Sequence, residues 1–361
     1  MQFTDPQAAI NHAMGLHQAG RFADAAGIYQ RLLEILSDSH DIRHLQGLAL
    51  FYLGQPTEGI RLMEDALARN PGAGHYYNNL GSRLIDHGDL ARAEELLTQG
   101  TTRSPACPAT RYNLGNALFR QGKYLPAIAS YREARARQPD FAMCDLQLGL
   151  ALHNAGLRSE ALAHYQAAVT AHPDNPALRI NHGALLQSEC DLDGAAEAFR
   201  HAVRLAPQDA TPLNNLAVVM KEVGDIGEAT RLLRRCVELK PSSLEIHSNL
   251  ILTLHYDPTA IAADLNSAHE GWNSRHPSPR LPHTNVPEPG RRLRLGFVSP
   301  DLRDHVVGRA LLPSFRRFDP DRFELYCYGN TVEDPVGAEF RARCYGWREL
   351  GTKTAAQLAE T

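Results

Sequence analysis

The sequence predicts an all-α superhelical solenoid of helix pairs over residues 6–276, followed from residue 291 by the start of an α/β domain with a parallel sheet. Small residues recur every 34 positions, at Gly47, Gly81, Gly115, Gly149 and Gly183, with Ala13 one period before and Ala217 one after. Pro71, Pro105, Pro139, Pro173, Pro207 and Pro241 keep the same step, as do Ala25, Gly59, Ala93, Ala127, Ala161, Ala195 and Ala229. Three registers agreeing over seven periods mark stacked units that each bury their apolar face against a neighbour. Beyond residue 291 the period is replaced by short apolar runs alternating with helical segments.

Within one unit, Gly115 sits on a first helix (A) where the second (B) crosses, and Ala127 is its counterpart on B. Gly122 and its equivalents Gly20, Gly54, Gly88, Gly156 and Gly224 mark the A-to-B turn, where positive φ is useful; Cys190 takes this place once. Proline at the end of helix B stops it. Leu118, Tyr124, Tyr131 and Ala134 are helix-spaced apolar positions and read as core. The unit, seen in NLGNALFRQGKYLPAIASYREARARQP, resembles the tetratricopeptide (TPR) repeat. Counting from residue 6 gives seven repeats ending at 243, an eighth helix A in LEIHSNLILTLHY, and a capping helix over 258–276.

Packing does not require the residue two before the helix-A small position. It reads Asn11, Leu45, Asn79, Asn113, Gln147, Asn181, Asn215 and Asn249. Since A helices line the inner face of TPR arrays, this register would form a ladder of carboxamides along a groove. Each amide offers two donors and an acceptor, matching a peptide backbone whatever its side chains. Either the ladder binds extended polypeptides in a sequence-tolerant way, or each asparagine merely bonds a neighbouring helix.

Composition narrows the function. The chain has 361 residues, 43% hydrophobic and 22% charged, with a net charge of −4. A nucleic-acid partner is disfavoured for want of excess Lys and Arg. The N-terminus lacks a charged-then-apolar signal and no run suffices to span a membrane, so no membrane partner is expected. Six cysteines without a CxxC pair suggest neither zinc nor a disulfide framework, and a cytoplasmic location.

HPSPRLPHTNVPEPG carries five prolines and reads as a stiff linker over 277–290. LRLGFVS (293–299) is then a strand, 306–318 a helix, FELYCYG (323–329) a strand, 334–345 a helix, WREL a short strand and 353–361 a helix start. This alternation predicts a Rossmann-like sheet, whose ligands bind beyond the carboxyl ends of the strands, placing Ser299 to Gly308 at the candidate site.

RRLRLGFVSPDLRDHVVGRALLPSFRRFDPDRFELYCYGN resembles the opening of the catalytic region of O-GlcNAc transferases and SPINDLY-like proteins, glycosyltransferase family 41. HSNLILTLHYDP is similar to the junction that precedes it in bacterial and plant members. The resemblance implies a TPR superhelix ahead of a two-lobed GT-B domain, of which residues 291–361 would begin the first lobe. It also implies an enzyme that transfers a sugar, usually GlcNAc from UDP-GlcNAc, to Ser or Thr of proteins guided by the asparagine ladder. By the same resemblance His305 matches the histidine of the first catalytic loop. It would accept or relay the hydroxyl proton, as imidazole titrates near neutral pH, or only fix the loop. Asp301 and Asp304 would orient the loop or accept N–H bonds at the next helix start, with Ser299 beside them. Gly308 lies where backbone could approach a ligand.

The other constellations are weak. No GxGxxG is present, which leaves a dinucleotide cofactor unsupported. Ser299, Asp301 and His305 lack the nucleophile elbow of a hydrolase. His40 and His44 are four apart, straddle a repeat junction and lack a third zinc ligand. Arg231, Arg234 and Arg235 read as a solvated helix face. The 71 residues from Arg291 onward are too few for two lobes, so the chain alone is expected to bind no nucleotide sugar and to be inactive by itself. The alternative is a TPR interaction scaffold with a vestigial tail.

Overall fold

The structure, a computed structural model, describes residues 5–275, 288, 290–330 and 334–351. Most of the expected linker and the expected helix at 353–361 lie outside the described residues. The chain divides into a unit of residues 1–278 and one of residues 279–361.

In the first unit sixteen described helices alternate as A and B partners. The A helices are α1 (Pro6–Gln18), α3 (His40–Tyr52), α5 (Gly74–His87), α7 (Pro108–Arg120), α9 (Ala142–Asn154), α11 (Pro176–Ser188), α13 (Ala210–Val223) and α15 (Leu244–Leu254). The B helices are α2 (Phe22–Ile35), α4 (Pro56–Arg69), α6 (Leu90–Arg103), α8 (Tyr124–Arg137), α10 (Arg158–Ala171), α12 (Leu192–Leu205), α14 (Ile226–Leu239) and α16 (Ala262–Arg275). Side-chain caps fix many of the starts: Asn175 Oδ1 accepts the N–H groups of Ala177 and Leu178 at 3.0 and 3.2 Å. The A-to-B turns take a left-handed residue, with φ of 74–95° at the six predicted glycines and 63° at Cys190. The periodic prolines lie just past the B helices rather than within them, as α8 ends at Arg137 and Pro139 follows.

The helix-A glycine meets its expected counterpart at Gly47, where a Cβ would lie 2.6 Å from Gly59 O and 2.8 Å from Met63 Cγ, but in other repeats it seats on a larger side chain one turn further along helix B. A Cβ on Gly115 would lie 2.5 Å from the Tyr131 ring, and on Gly149 2.2 Å from Tyr165 Cζ. The opposing register is thus Met63, Leu97, Tyr131, Tyr165 and Phe199, one helical turn beyond Ala127 and its equivalents, and all five side chains are buried. Neighbouring A helices touch from α5 to α15, whereas no B helix has a comparable contact with the next B helix, so the A helices line the inner side of the curve. Core clusters run from pair to pair, as where Leu118, Tyr131, Leu148, Tyr165 and Leu178 pack together.

The capping helix begins later than the sequence suggested because Asp257 Oδ1 accepts the Thr259 N–H at 2.9 Å and turns the chain first. Leu265 and Ala268 then cover Leu233, Leu250 and Leu254. His40 and His44 do not straddle a junction. Ser39 caps α3, and both histidines lie on that helix.

The second unit holds β1 (Leu293–Val298), α17 (Val306–Phe315), β2 (Phe323–Gly329), α18 (Pro335–Arg343) and β3 (Gly346–Glu349). The strands are parallel in the order β1-β2-β3, with Leu295 opposite Leu325 and Cys327 opposite Trp347. Strand order does not reverse among the described residues, so what stands is a small three-stranded parallel sheet. Both helices are shorter than expected. Phe318 leaves α17 to pack on Phe297 and Phe323, and the Tyr345 N–H donates to Leu325 O at 2.7 Å, opening the β3 ladder straight after α18. Leu312, Phe315, Leu325, Cys327 and Phe340 form the core of this unit. Among the described residues no helix is long and apolar enough to cross a membrane.

Gly149→Ala is expected to cost about 1–3 kcal/mol in urea unfolding, because Tyr165 must move. Combined with Tyr165→Leu it should cost clearly less than the sum of the two single changes. Additive costs would show that the glycine does not seat on this ring.

Candidate functional site

The amide register runs along the inner face. Asn79, Asn113, Gln147, Asn181, Asn215 and Asn249 are half-buried on six successive A helices, Asn11 is exposed on α1, and Leu45 interrupts the register on α3. Several amides bond along the stack. Asn113 Nδ2 donates to Asn78 Oδ1 at 2.9 Å, and Asn249 Nδ2 to Asn214 Oδ1 at 3.0 Å. Asn79 Nδ2 meets His44 Nε2 at 3.1 Å, while Asn181 Nδ2 donates to Ala177 O of its own helix at 3.0 Å. Each of these bonds uses one of the two N–H groups, leaving the other hydrogen available to a ligand carbonyl. Helix bonding and ligand binding are therefore compatible roles for the same side chain.

Two further amides were missed in the sequence. Asn78 and Asn214 immediately precede ladder residues and orient the asparagine of the following repeat. The doublets in YYNNLG and PLNNLA were the available signal. A recess of about 290 Å³ opens between α5, α7 and α9, lined by Asp86, Tyr112, Asn113, Asn116, Arg120 and Gln147. Tyr131 OH donates to Asn116 Oδ1 at 2.8 Å, tying the helix packing to the groove lining.

At the N-terminal end of this face His44 is buried and stacks on Tyr76 with ring centroids 4.2 Å apart. Burial, then the nearby His75, push its pKa down to about 4, so the ring is neutral at pH 7.

In the second unit the candidate loop leaves the carboxyl end of β1. Ser299 Oγ accepts the Asp301 N–H at 3.1 Å, Arg303 reaches Asp301 Oδ1 at 3.3 Å, and His305 Nδ1 lies 3.8 Å from Asp301 Oδ2. His305 caps α17, accepting the Val307 N–H on Nδ1 at 3.3 Å. With that bond in place the neutral ring carries its proton on Nε2, so the exposed nitrogen is a donor. Of the two roles left open for the aspartates, the helix cap is taken by His305 instead. Arg309 binds Asp304 at 2.5 Å and holds its carboxyl below the usual range, and the Asp304 N–H donates to Asp334 at 3.0 Å. At Gly308 the loop's own carbonyl fills the open side: a Cβ would lie 2.1 Å from Arg303 O. The loop thus brings Ser299, Asp301, Asp304, His305 and Gly308 together as one bonded turn.

One tetratricopeptide-repeat family model matches residues 44–106, 78–141, 112–176 and 146–210, and a second such model matches 6–31. No curated protein sequence matches the chain. Among solved structures, an O-GlcNAc transferase mutant from Thermobaculum terrenum is 30% identical over 61% of this chain and 43% of its own, with a TM-score of 0.47. YrrB, a TPR protein with an unusual peptide-binding site, is 20% identical over 54% of this chain and 96% of its own, with a TM-score of 0.42. MamA from Desulfovibrio magneticus RS-1 is 22% identical over 47% of this chain and 97% of its own, with a TM-score of 0.43. The chain spans less than half the length of the Thermobaculum protein.

His305→Ala should cost roughly 0.5–2 kcal/mol and speed hydrogen exchange at the first amides of α17, whereas His305→Asn should restore both. Unchanged exchange in His305→Ala would show that the imidazole does not hold the helix start.

Proposed function

Since residues 6–31 and 44–210 carry tetratricopeptide repeats, we propose that the inner face of the first unit binds extended polypeptides through their backbones. One observation carries this reading: a single register places half-buried amides, each with two N–H donors, on six successive A helices. Backbone groups of an extended chain are what such amides match, which makes the groove tolerant of sequence. A protein-interaction scaffold is the function this supports.

The loop after β1 favours a second, finer reading. The bonded turn at the carboxyl end of a parallel strand, together with the likeness of residues 291–330 to the opening of family 41 catalytic regions, suggests the first, Rossmann-like lobe of a protein O-glycosyltransferase. UDP-GlcNAc would be the donor substrate, and the groove would then deliver the acceptor polypeptide. His305 would face the acceptor hydroxyl with Nε2–H as a donor, and acting as base would require it to give up the Val307 bond. Transfer of labelled GlcNAc from UDP-GlcNAc to a serine peptide, lost in His305→Ala, would support this reading. Transfer unaffected by His305→Ala would refute the role given to His305.

Replacing Asn113, Asn181 and Asn215 together by Ala should weaken binding of an unstructured serine- and threonine-rich peptide at least tenfold while circular dichroism stays unchanged. Equal affinity in the variant would overturn the groove reading.

A further inference from the structure

The N-terminal end of the groove differs from the rest in three ways that coincide. Leu45 is the only hydrocarbon side chain among the eight ladder positions. Beside it a cavity of about 430 Å³ opens between α1, α3 and α5, with Ile10, Met14 and Leu45 as apolar lining and His44, Tyr76 and Asn79 as polar lining. Third, His44 is only 2% exposed, and its Nδ1 has no hydrogen-bond partner among the described residues.

The bonding around His44 fixes what that nitrogen wants. Asn79 Oδ1 accepts from Asn78 Nδ2 at 3.4 Å, so its Nδ2 is the group turned to His44. An amide N–H can only donate, which makes His44 Nε2 the acceptor and leaves the proton of the neutral ring on Nδ1. A buried donor without an acceptor costs free energy that a ligand carbonyl would recover. Stacking on Tyr76 at 4.2 Å, and the hydrogen bonds from Tyr76 OH to Asp41 and between it and His40 Nδ1 at 2.9 Å, hold the ring in place.

Resting on the groove reading above, we propose that this cavity is a side-chain pocket that sets a sequence preference in an otherwise tolerant groove. It takes one aliphatic side chain of leucine or methionine size from the bound polypeptide, while His44 Nδ1 donates to a carbonyl of the same stretch. The occupant follows from position: Leu45 shares its register with Asn11 and Asn79, which flank it on α1 and α5. A backbone held by amides on either side would pass over the cavity and present a side chain to it. The volume falls within the range of small-ligand sites and leaves room for such a side chain.

Isothermal titration of the full chain with 15-residue Gly/Ser/Thr peptides tests this, a single leucine being placed at each position in turn and compared with alanine there. One placement should bind roughly tenfold or more tighter than its alanine counterpart. Leu45→Asn should bring the two close to parity, and His44→Phe, which keeps a ring on Tyr76 but lacks the donor, should weaken the leucine peptide several-fold. Asparagine already occupies this register on other A helices, so Leu45→Asn is compatible with the fold. Equal binding of leucine and alanine peptides at every placement would overturn the pocket and leave the groove reading standing. A leucine preference undiminished in both variants would also overturn it. Failure of every peptide to bind would remove the groove reading and the pocket with it.

Discussion

The contact on which the first unit depends is the seat of a helix-A glycine on the large side chain of helix B. Where Gly115 meets Tyr131 and Gly149 meets Tyr165, the helix axes come as close as a hydrogen atom in place of a side chain permits. That closeness sets the angle within each pair, and its repetition every 34 residues sets the curve. With the A helices on the inner side, one sequence position per repeat becomes one line of side chains along a groove. The amide ladder is a consequence of this geometry.

The same arrangement explains how packing and recognition share residues. Tyr131 fills the seat against Gly115 and also bonds Asn116 on the groove side. Paired amides such as Asn113 with Asn78 fix one rotamer before any ligand arrives, reducing the entropy lost on binding. Charged groups in the stack are mostly spent on internal ties. Asp145, almost fully buried on α9, is reached by Arg135 of α8 at 2.8 Å and by His172 beyond α10 at 3.2 Å. The ladder positions themselves carry neutral amides, which suits backbone recognition better than the reading of charged side chains.

Much of this was legible in the sequence because a repeat states each packing rule several times. The turn glycines, the end of each pair and the position of the ladder all follow from period alone. The seat of Gly115 on Tyr131 did not, because Ala127 and Tyr131 are both helix-spaced and only the crossing geometry distinguishes them. The buried donor on His44 was invisible for a related reason: which face a ring nitrogen presents depends on its neighbours across repeats. In the second unit the alternation of elements revealed the parallel sheet. The role of Gly308 was hidden, since a glycine that admits a ligand and one that admits its own loop look alike.

In the proposed function extended polypeptide lies along the A helices. Photocrosslinking tests it most directly, using a serine- and threonine-rich peptide that carries a benzophenone at successive positions, with the adducts mapped by mass spectrometry. Adducts are expected on α5, α7, α9, α11, α13 and α15, moving along the series as the probe moves along the peptide. Adducts confined to the B helices, or independent of probe position, would contradict it.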